Sequence, residues 1–367
     1  MDEKISNGVK YLNALNKIDG VGPQKFKLLL NYFESPEAIW KADLEELKTA
    51  KIPEKLAEKI FFERGSINPD EEWEKLEREN IKMITLSDTS YPSLLKEIPN
   101  APYILYAKGD FDFFNNSPAI SMVGSRKYTD YGRQAALSFA RDLAAAGITV
   151  VSGMALGIDT FAHRGALDSR GKTIAVLGNS LDDLNIYPQN NFNLSREITE
   201  NGALLSDYPV ETKAGVMTFP ARNRIIAGLT MGTIVIEAGE KSGSLITANL
   251  ALEYNREIFS VPGSIFSPYS FGTNQLIKQG ARTLTSVADI LEELDITREK
   301  TYNTKVERNP DNPEEKILLG ILSPDPIHID NIAKLAKLPS SAISSALAMM
   351  EIKGWVRNIG GQNYIIT

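Results

Sequence analysis

The chain has 367 residues, 43% hydrophobic and 24% charged, with a formal net charge of −7. This suits a globular protein of two or three domains; the acidic balance disfavours coating duplex DNA but leaves room for a local basic groove. Without cysteine there are no disulfides or thiolate metal sites, and His163 and His328 lie too far apart in sequence for a histidine-rich one, so no metal and no cofactor is expected.

Residues 1–65 read as short helices. Ile18-Asp19-Gly20-Val21-Gly22-Pro23 is a glycine turn between two of them, similar to a helix-hairpin-helix element of the SAM type. There the glycines let backbone amides approach a phosphate, with Lys25 and Lys27 adding charge. The competing reading is a helical bundle whose turn only packs, and the even balance of basic and acidic residues over 1–65 favours it. The N-terminus has no long apolar run, so no signal peptide is expected, and no stretch of about 18 apolar residues suits a membrane span.

From Ser66 to about Ser117 a helix (EEWEKLERENIK), a short strand (MITL), proline-broken segments and the strand YILYAKGD form an extension of the next domain. From Pro118 to about Leu294, apolar strands alternate with amphipathic helices. This predicts an α/β domain with a parallel sheet and helices on both faces. Gly124, Gly153, Gly178, Gly239 and Gly263 each follow a predicted strand. The carboxyl ends of parallel strands share one edge, where ligands bind.

Residues 296–313 are polar and read as a linker. Residues 314–367 read as three helices and a hairpin around Gly360-Gly361, a winged-helix arrangement. Its third helix offers Ser, Ala and Met where a major-groove reader needs Arg, Lys, Asn or Gln, so it suits protein contact better.

Three stretches carry candidate chemistry. Gly124-Ser125-Arg126 is a glycine turn with a hydroxyl and a phosphate-gripping guanidinium, unless Arg126 is only a surface arginine. It lacks the dinucleotide Gly-x-Gly-x-x-Gly spacing and a Walker lysine, which disfavours hydride transfer and nucleotide hydrolysis. Ser152, Gly153 and Gly157 form a second small-residue loop leading to Asp159 and His163. Those two share a helix face as an acid/base pair, or else Asp159 caps that helix and His163 bonds nearby backbone. The second reading is favoured, since no nucleophile or metal partner accompanies them. Thr218–Thr247 supplies Phe219 for a base, then Arg222, Asn223 and Arg224, then Lys241-Ser242-Gly243-Ser244 ahead of a helix. Free amides and the dipole at such a helix start favour an anion. For Arg224 the alternative is a pair with Glu237 beneath the sheet edge.

With these residues in view, the chain resembles the DNA-processing protein A (DprA, or Smf) family. The resemblance rests on VGSRKYTDYG, VVSGMALGIDTFAHRGAL, TIAVLGNSLDDLNIYPQNN, FPARNRIIAGL, SGSLITANLALEYNREIFSVPG and GTNQLIKQGA, in order across residues 80–290. It implies an extended Rossmann-like core over 66–295, between a helical domain at 1–65 and a winged helix at 314–367. It also implies a cytoplasmic bacterial protein that binds single-stranded DNA without cutting it. Family members protect incoming strands in natural transformation and load RecA recombinase onto them, displacing single-strand binding protein. They act as homodimers through the Rossmann-like domain, for which Thr273–Leu284 is the candidate surface. Asn179-Ser180-Leu181 departs from the family's glycine-rich turn before Tyr187-Pro188. The runner-up is a phosphoribohydrolase acting on nucleoside monophosphates, because Gly232-Thr233 followed by Glu237 is similar to its Gly-Thr-x-x-Glu stretch. Gly228-Leu229-Thr230-Met231, where that enzyme has Pro-Gly-Gly, weakens it. An adaptor built on the winged helix does not account for the glycine edge and its arginines.

Overall fold

The computed structural model describes residues 3–296, 310, 312–323, 327–353, 355–358 and 361–366. It begins with helices α1 (Glu3–Asn16), α2 (Pro23–Tyr32), α3 (Pro36–Lys41), α4 (Leu44–Thr49) and α5 (Glu54–Glu63). Pro23 opens α2 at a position where a missing amide costs nothing. Asp43 and Glu46 close a reciprocal capping box on α4. Leu15, Phe26, Leu29, Ile39, Leu47 and Ile60 from these helices are fully buried together with Ile18 of the turn after α1. The glycine turn faces a cleft of about 410 Å³ whose other wall includes Tyr103, Asp207 and Tyr208. Lys25 and Lys27 do not line that cleft. Lys17, which does, is paired with Glu72 and Glu211.

Helix α6 (Pro69–Arg78) leads into β1 (Ile81–Thr85), α7 (Ser93–Lys96) and β2 (Ile104–Gly109). The doubly wound part follows as β3 (Ala119–Val123), α8 (Asp130–Ala145), β4 (Thr149–Ser152), α9 (Ile158–Asp168), β5 (Thr173–Val176), α10 (Phe192–Asn201) and β6 (Ala203–Ser206). It continues with α11 (Thr218–Gly228), β7 (Gly232–Val235), α12 (Ser244–Glu253), β8 (Glu257–Ser260), α13 (Phe271–Lys278), β9 (Arg282–Thr283) and α14 (Val287–Glu293). Among the described residues, nine strands join one sheet in the order β1-β2-β6-β5-β4-β3-β7-β8-β9.

The run from β6 to β9 is parallel, as the strand-helix alternation predicts. β1 and β2 are antiparallel additions at the β6 edge. The excursion through α7 returns the chain beside the strand it left, and an antiparallel pair needs no crossover helix on a sheet face. From β3 the chain steps outward through β4, β5 and β6, then crosses back to place β7 on the other side of β3. That reversal opens a crevice at the strands' carboxyl ends. Ile120 and Met122 of β3 pack among α8 and α9, while Ala119 and Val123 pack among α11 and α12 on the opposite face.

A buried polar knot ties the N-terminal helices to the sheet. The Tyr106 hydroxyl on β2 donates to Asn13 Oδ1 at 2.7 Å and accepts from Asn16 Nδ2 at 3.1 Å. Asn13 Nδ2 in turn donates to the Glu72 carbonyl at 3.2 Å.

Residues 1–298 and 299–367 form two compact units. The second contains α15 (Pro313–Ile321), β10 (Ile327–His328), α16 (Ile329–Ala336), α17 (Ser340–Ile352), β11 (Val356–Asn358) and β12 (Asn363–Ile366), with sheet order β10-β12-β11. This is the expected winged helix, with β10 standing where the sequence suggests the start of a helix. Ile332, Ile343, Leu347 and Met350 form its core. Ser341, Ser344, Ser345, Ala348 and Met349 of α17 are exposed, which leaves that stretch without base-reading side chains. Most of the linker read at 296–313, and Gly360 of the hairpin, lie outside the described residues.

Tyr106→Phe removes one hydroxyl and leaves the buried Asn13 Oδ1 without its donor, while Asn16 Nδ2 keeps the Asp207 carbonyl. The expected loss is about 1–3 kcal/mol of stability, read as a lower denaturant midpoint with an unchanged slope.

Candidate nucleic-acid interface

At the carboxyl ends of the adjacent strands β3 and β7, the loops after them and the first turns of α11 and α12 enclose a groove of about 1040 Å³. The loop after β3 carries Gly124, Ser125, Arg126 and Lys127 into its wall. Backbone bonds hold this loop: the Ser125 amide donates to the Glu237 carbonyl at 2.7 Å, and the Ile158 amide to the Ser125 carbonyl at 3.3 Å. The Ser125 hydroxyl accepts from the Lys127 amide at 3.1 Å. Gly157 has φ +91°, and a Cβ there would stand 2.5 Å from the Ser125 carbonyl oxygen. Only glycine lets the two loops press together at that point.

The Glu237 side chain is 2% exposed. Its Oε2 accepts from the Thr129 amide at 2.9 Å and its Oε1 from the Thr129 hydroxyl at 2.6 Å. The carboxylate therefore anchors the loop that carries Arg126 and does not line the groove. A phosphoribohydrolase would need it turned toward a sugar. Arg224 does not pair with it. Its guanidinium bridges Asp207 and the Asn100 carbonyl and stays off the groove. Residues 222 and 224 sit about 200° apart around α11, so one helix cannot aim both at the same wall.

Arg222 is 5% exposed at the groove floor. Its Nη1 donates to the Gly153 carbonyl at 2.8 Å and also to the Val176 carbonyl, while Nε donates to Asn223 Oδ1 at 3.2 Å. A Cβ on Gly153 would lie 2.6 Å from Nη2, so the guanidinium rests directly on bare backbone. Asp159 Oδ2 accepts from the amides of Gly153 and Ala155 at 3.2 and 3.3 Å. Burial raises the Asp159 pKa, opposed by Arg222 and those two amides. Burial likewise brings Arg222 down to about 10, opposed by Asp159. Asp159 thus holds the loop before its helix. His163 is fully buried, and its Nδ1 meets the Thr173 hydroxyl at 2.8 Å, a side chain where bonding to backbone was expected. Thr173 already donates to the Val150 carbonyl, so the Nδ1–H is the donor. Burial, with a smaller push from Arg222, brings His163 down to about 3. It is a neutral structural residue, remote from acid/base work.

Ser152 is fully buried, and its hydroxyl donates to the Met122 carbonyl at 2.6 Å, tying β4 to β3. Lys241, Ser242, Gly243 and Ser244 line the groove; the N-cap of α12 is Gly243, and the Ser244 amide donates to the Ser242 hydroxyl at 3.4 Å. The Ser242 and Ser244 hydroxyls share a hydrogen bond at 2.8 Å. Among the described residues Arg126, Lys127 and Lys241 form no ion pair. Arg126 lies over the Phe219 ring, 5.4 Å from its centroid, and the Tyr187 ring stands 5.6 Å from Phe219, tilted by 38°.

The structure thus gathers Gly124, Ser125, Arg126, Phe219, Arg222, Asn223 and Lys241 to Ser244 around one groove. It puts Gly153 under the Arg222 guanidinium, Gly157 behind the Ser125 loop, and Ser152 and Arg224 elsewhere. Sequence reasoning missed Lys127, Tyr187, Val216, Ile246 and Phe271, which also line it. Val216 is 86% exposed, its neighbour Met217 80% and Phe271 53%. Apolar side chains in the loop Ala214–Met217, where polar residues are the rule, were the available signal. Among the described residues no cluster of His, Asp or Glu suits a metal ion, and no helix is long and apolar enough to cross a membrane.

Comparison with known proteins gives a consistent set of likenesses. A family model described as DNA recombination-mediator protein A matches residues 82–295. A DprA winged helix domain matches 304–362, and a SAM-like helix-hairpin-helix tandem matches 12–65. Protein Smf of Synechocystis is 35% identical over 390 residues, covering 96% of this chain and 98% of the relative. DNA processing protein DprA of Bacillus subtilis is 43% identical over 216 residues, 59% of this chain and 72% of that one. The solved structure of DNA processing protein A from Streptococcus pneumoniae superimposes with a TM-score of 0.67 at 34% identity, covering 77% of this chain and 97% of that one. A structure of the Helicobacter pylori protein, described for its single-stranded DNA binding mode, gives 0.52 at 33% identity, over 58% and 95% of the chains.

The buried histidine predicts a pH dependence. Its folded pKa near 3 lies below the ordinary 6.5, so the unfolded chain takes up the proton first. Its contribution to stability is whole above pH 6.5 and is lost as pH falls toward 3. His163→Gln should therefore show a shallower fall in melting temperature over that window than the parent chain.

Proposed function

Because the chain belongs to the DNA recombination-mediator protein A (DprA/Smf) family, we propose that its groove binds single-stranded DNA and performs no chemistry on it. The observation that carries this reading is a set of exposed cations, Arg126, Lys127 and Lys241, in one groove with aromatic and apolar side chains. Unpaired strands offer both a charged backbone and free base faces, and a stacked base is worth roughly 1–3 kcal/mol. A duplex hides its faces and meets the acidic remainder of the surface. In this reading Gly124, Ser125, Arg126, Phe219, Asn223 and Lys241 to Ser244 form the strand path. Ser152, Gly153, Gly157, Arg222 and Arg224 shape it. The nucleotide-hydrolase alternative loses support because Glu237 has both oxygens engaged by Thr129.

The family resemblance supports the finer parts of the proposal. The protein acts in the cytoplasm as a homodimer through its Rossmann-like domain, with Thr273–Leu284 in the contact. It protects incoming strands during transformation and loads RecA in place of single-strand binding protein. Its working division is a helical domain at 1–65, the DNA-binding domain at 66–295, a linker at 296–313 and a winged helix at 314–367 that meets protein.

Anisotropy titrations with labelled oligo(dT) and with duplex of equal length test the binding. With the three exposed cations on phosphates, the log-log salt slope should be about −2 for the single strand. Arg126→Ala and Lys241→Ala should each weaken binding about tenfold and flatten the slope by about 0.7. Equal affinity for duplex and single strand would contradict the proposal.

A further inference from the structure

Arg222 differs from the other cations of the groove in what its guanidinium already does. Arg126, Lys127 and Lys241 are exposed and form no ion pair among the described residues. Arg222 is 5% exposed and gives Nη1 to two carbonyls that end adjacent strands, Gly153 after β4 and Val176 of β5. A strand's last carbonyls need a donor once the neighbouring strand stops, and a buried one without it costs free energy. Nη1 alone serves both carbonyls while Nε reaches Asn223 Oδ1, and a lysine, with one nitrogen on a shorter stem, cannot meet all three. The charge is also balanced locally, since Asp159 is equally buried and its field acts directly on Arg222.

The same bonds fix α11. Arg222 lies three residues after Phe219, so the two share a helix face. Anchoring Arg222 to the sheet edge sets the first turn of α11 and with it the Phe219 ring. That ring stands against Gly178, where a Cβ would come within 3.1 Å of its Cδ1. Resting on the single-strand reading above, we propose that Arg222 is a positioning residue that holds Phe219 in place and is not itself a phosphate contact.

The test compares oligo(dT) affinity and its salt dependence for the full chain and for Arg222→Met, Arg222→Lys, Phe219→Ala and the double variant Arg222→Met with Phe219→Ala. A residue that neutralises a phosphate contributes about 0.7 to the slope. Arg222→Met is expected to bind at least about tenfold more weakly with the slope unchanged. Arg222→Lys, which keeps the charge and loses the fork, is expected to fall as far. Adding Phe219→Ala to Arg222→Met should weaken binding much less than Phe219→Ala does alone, because the ring has already lost its seat. A slope flattened as in Arg126→Ala, near-parental affinity in Arg222→Lys, or additive losses would each overturn the inference. Should Arg222→Met fail to fold, Arg222→Lys decides: lost affinity at an unchanged slope upholds the inference, and retained affinity overturns it. Failure of the single-strand reading itself would show separately, as absent strand preference in the parent chain.

Discussion

Backbone packed against backbone at the carboxyl ends of β3, β4 and β5 is the constraint on which the groove rests. Gly157 presses onto the Ser125 carbonyl, and Gly153 leaves its own carbonyl bare beneath Arg222. Strand ends gathered this tightly leave carbonyls with no ladder partner, and such groups must find donors. Arg222 serves two of them, while Asp159 takes the facing amides of Gly153 and Ala155. A side chain on Gly153 would push the guanidinium off both carbonyls at once. Rigidity here is inherited by α11, and α11 carries the aromatic ring.

Charge is divided between two tasks. Much of the basic complement is spent on ion pairs, such as Lys17 with Glu72, Lys108 with Asp183 and Arg224 with Asp207. Glu237, a carboxylate beside the groove, is tied up by Thr129 and kept off the groove surface. Among the described residues, the exposed groove cations that form no ion pair are those of the loops after β3 and β7. A chain with a net charge of −7 can in this way present a local positive groove. Beside it stand exposed apolar side chains, Val216, Phe271 and Tyr187, which water solvates poorly and which a base face suits.

The architecture was legible because its causes are periodic or compositional. Apolar strands ending in glycine marked the sheet edge, and the edge marked the groove. The antiparallel pair β1 and β2 was not legible, since strand direction depends on where α7 packs. β10 is two residues long and exists only through its bonds to β12. Within the groove, Arg126 and Lys241 stand where their loops suggested. The Arg222-Asn223-Arg224 triplet misled for a geometric reason. Read in sequence, it offers two arginines and an amide to one site; wound into α11, it buries Arg222 at the groove floor and turns Arg224 toward Asp207. Burial depends on helix phase against the sheet, which residue types alone do not encode.

The proposed single strand lies across this groove with its bases on the apolar side. Photo-crosslinking with 5-bromouracil-substituted oligonucleotide, followed by peptide mapping, reads base contacts directly. Crosslinks are expected to concentrate at Tyr187, Phe219 and Phe271. Crosslinks gathered instead on the turn Ile18–Pro23 or on α17, with none in the groove, would contradict this placement.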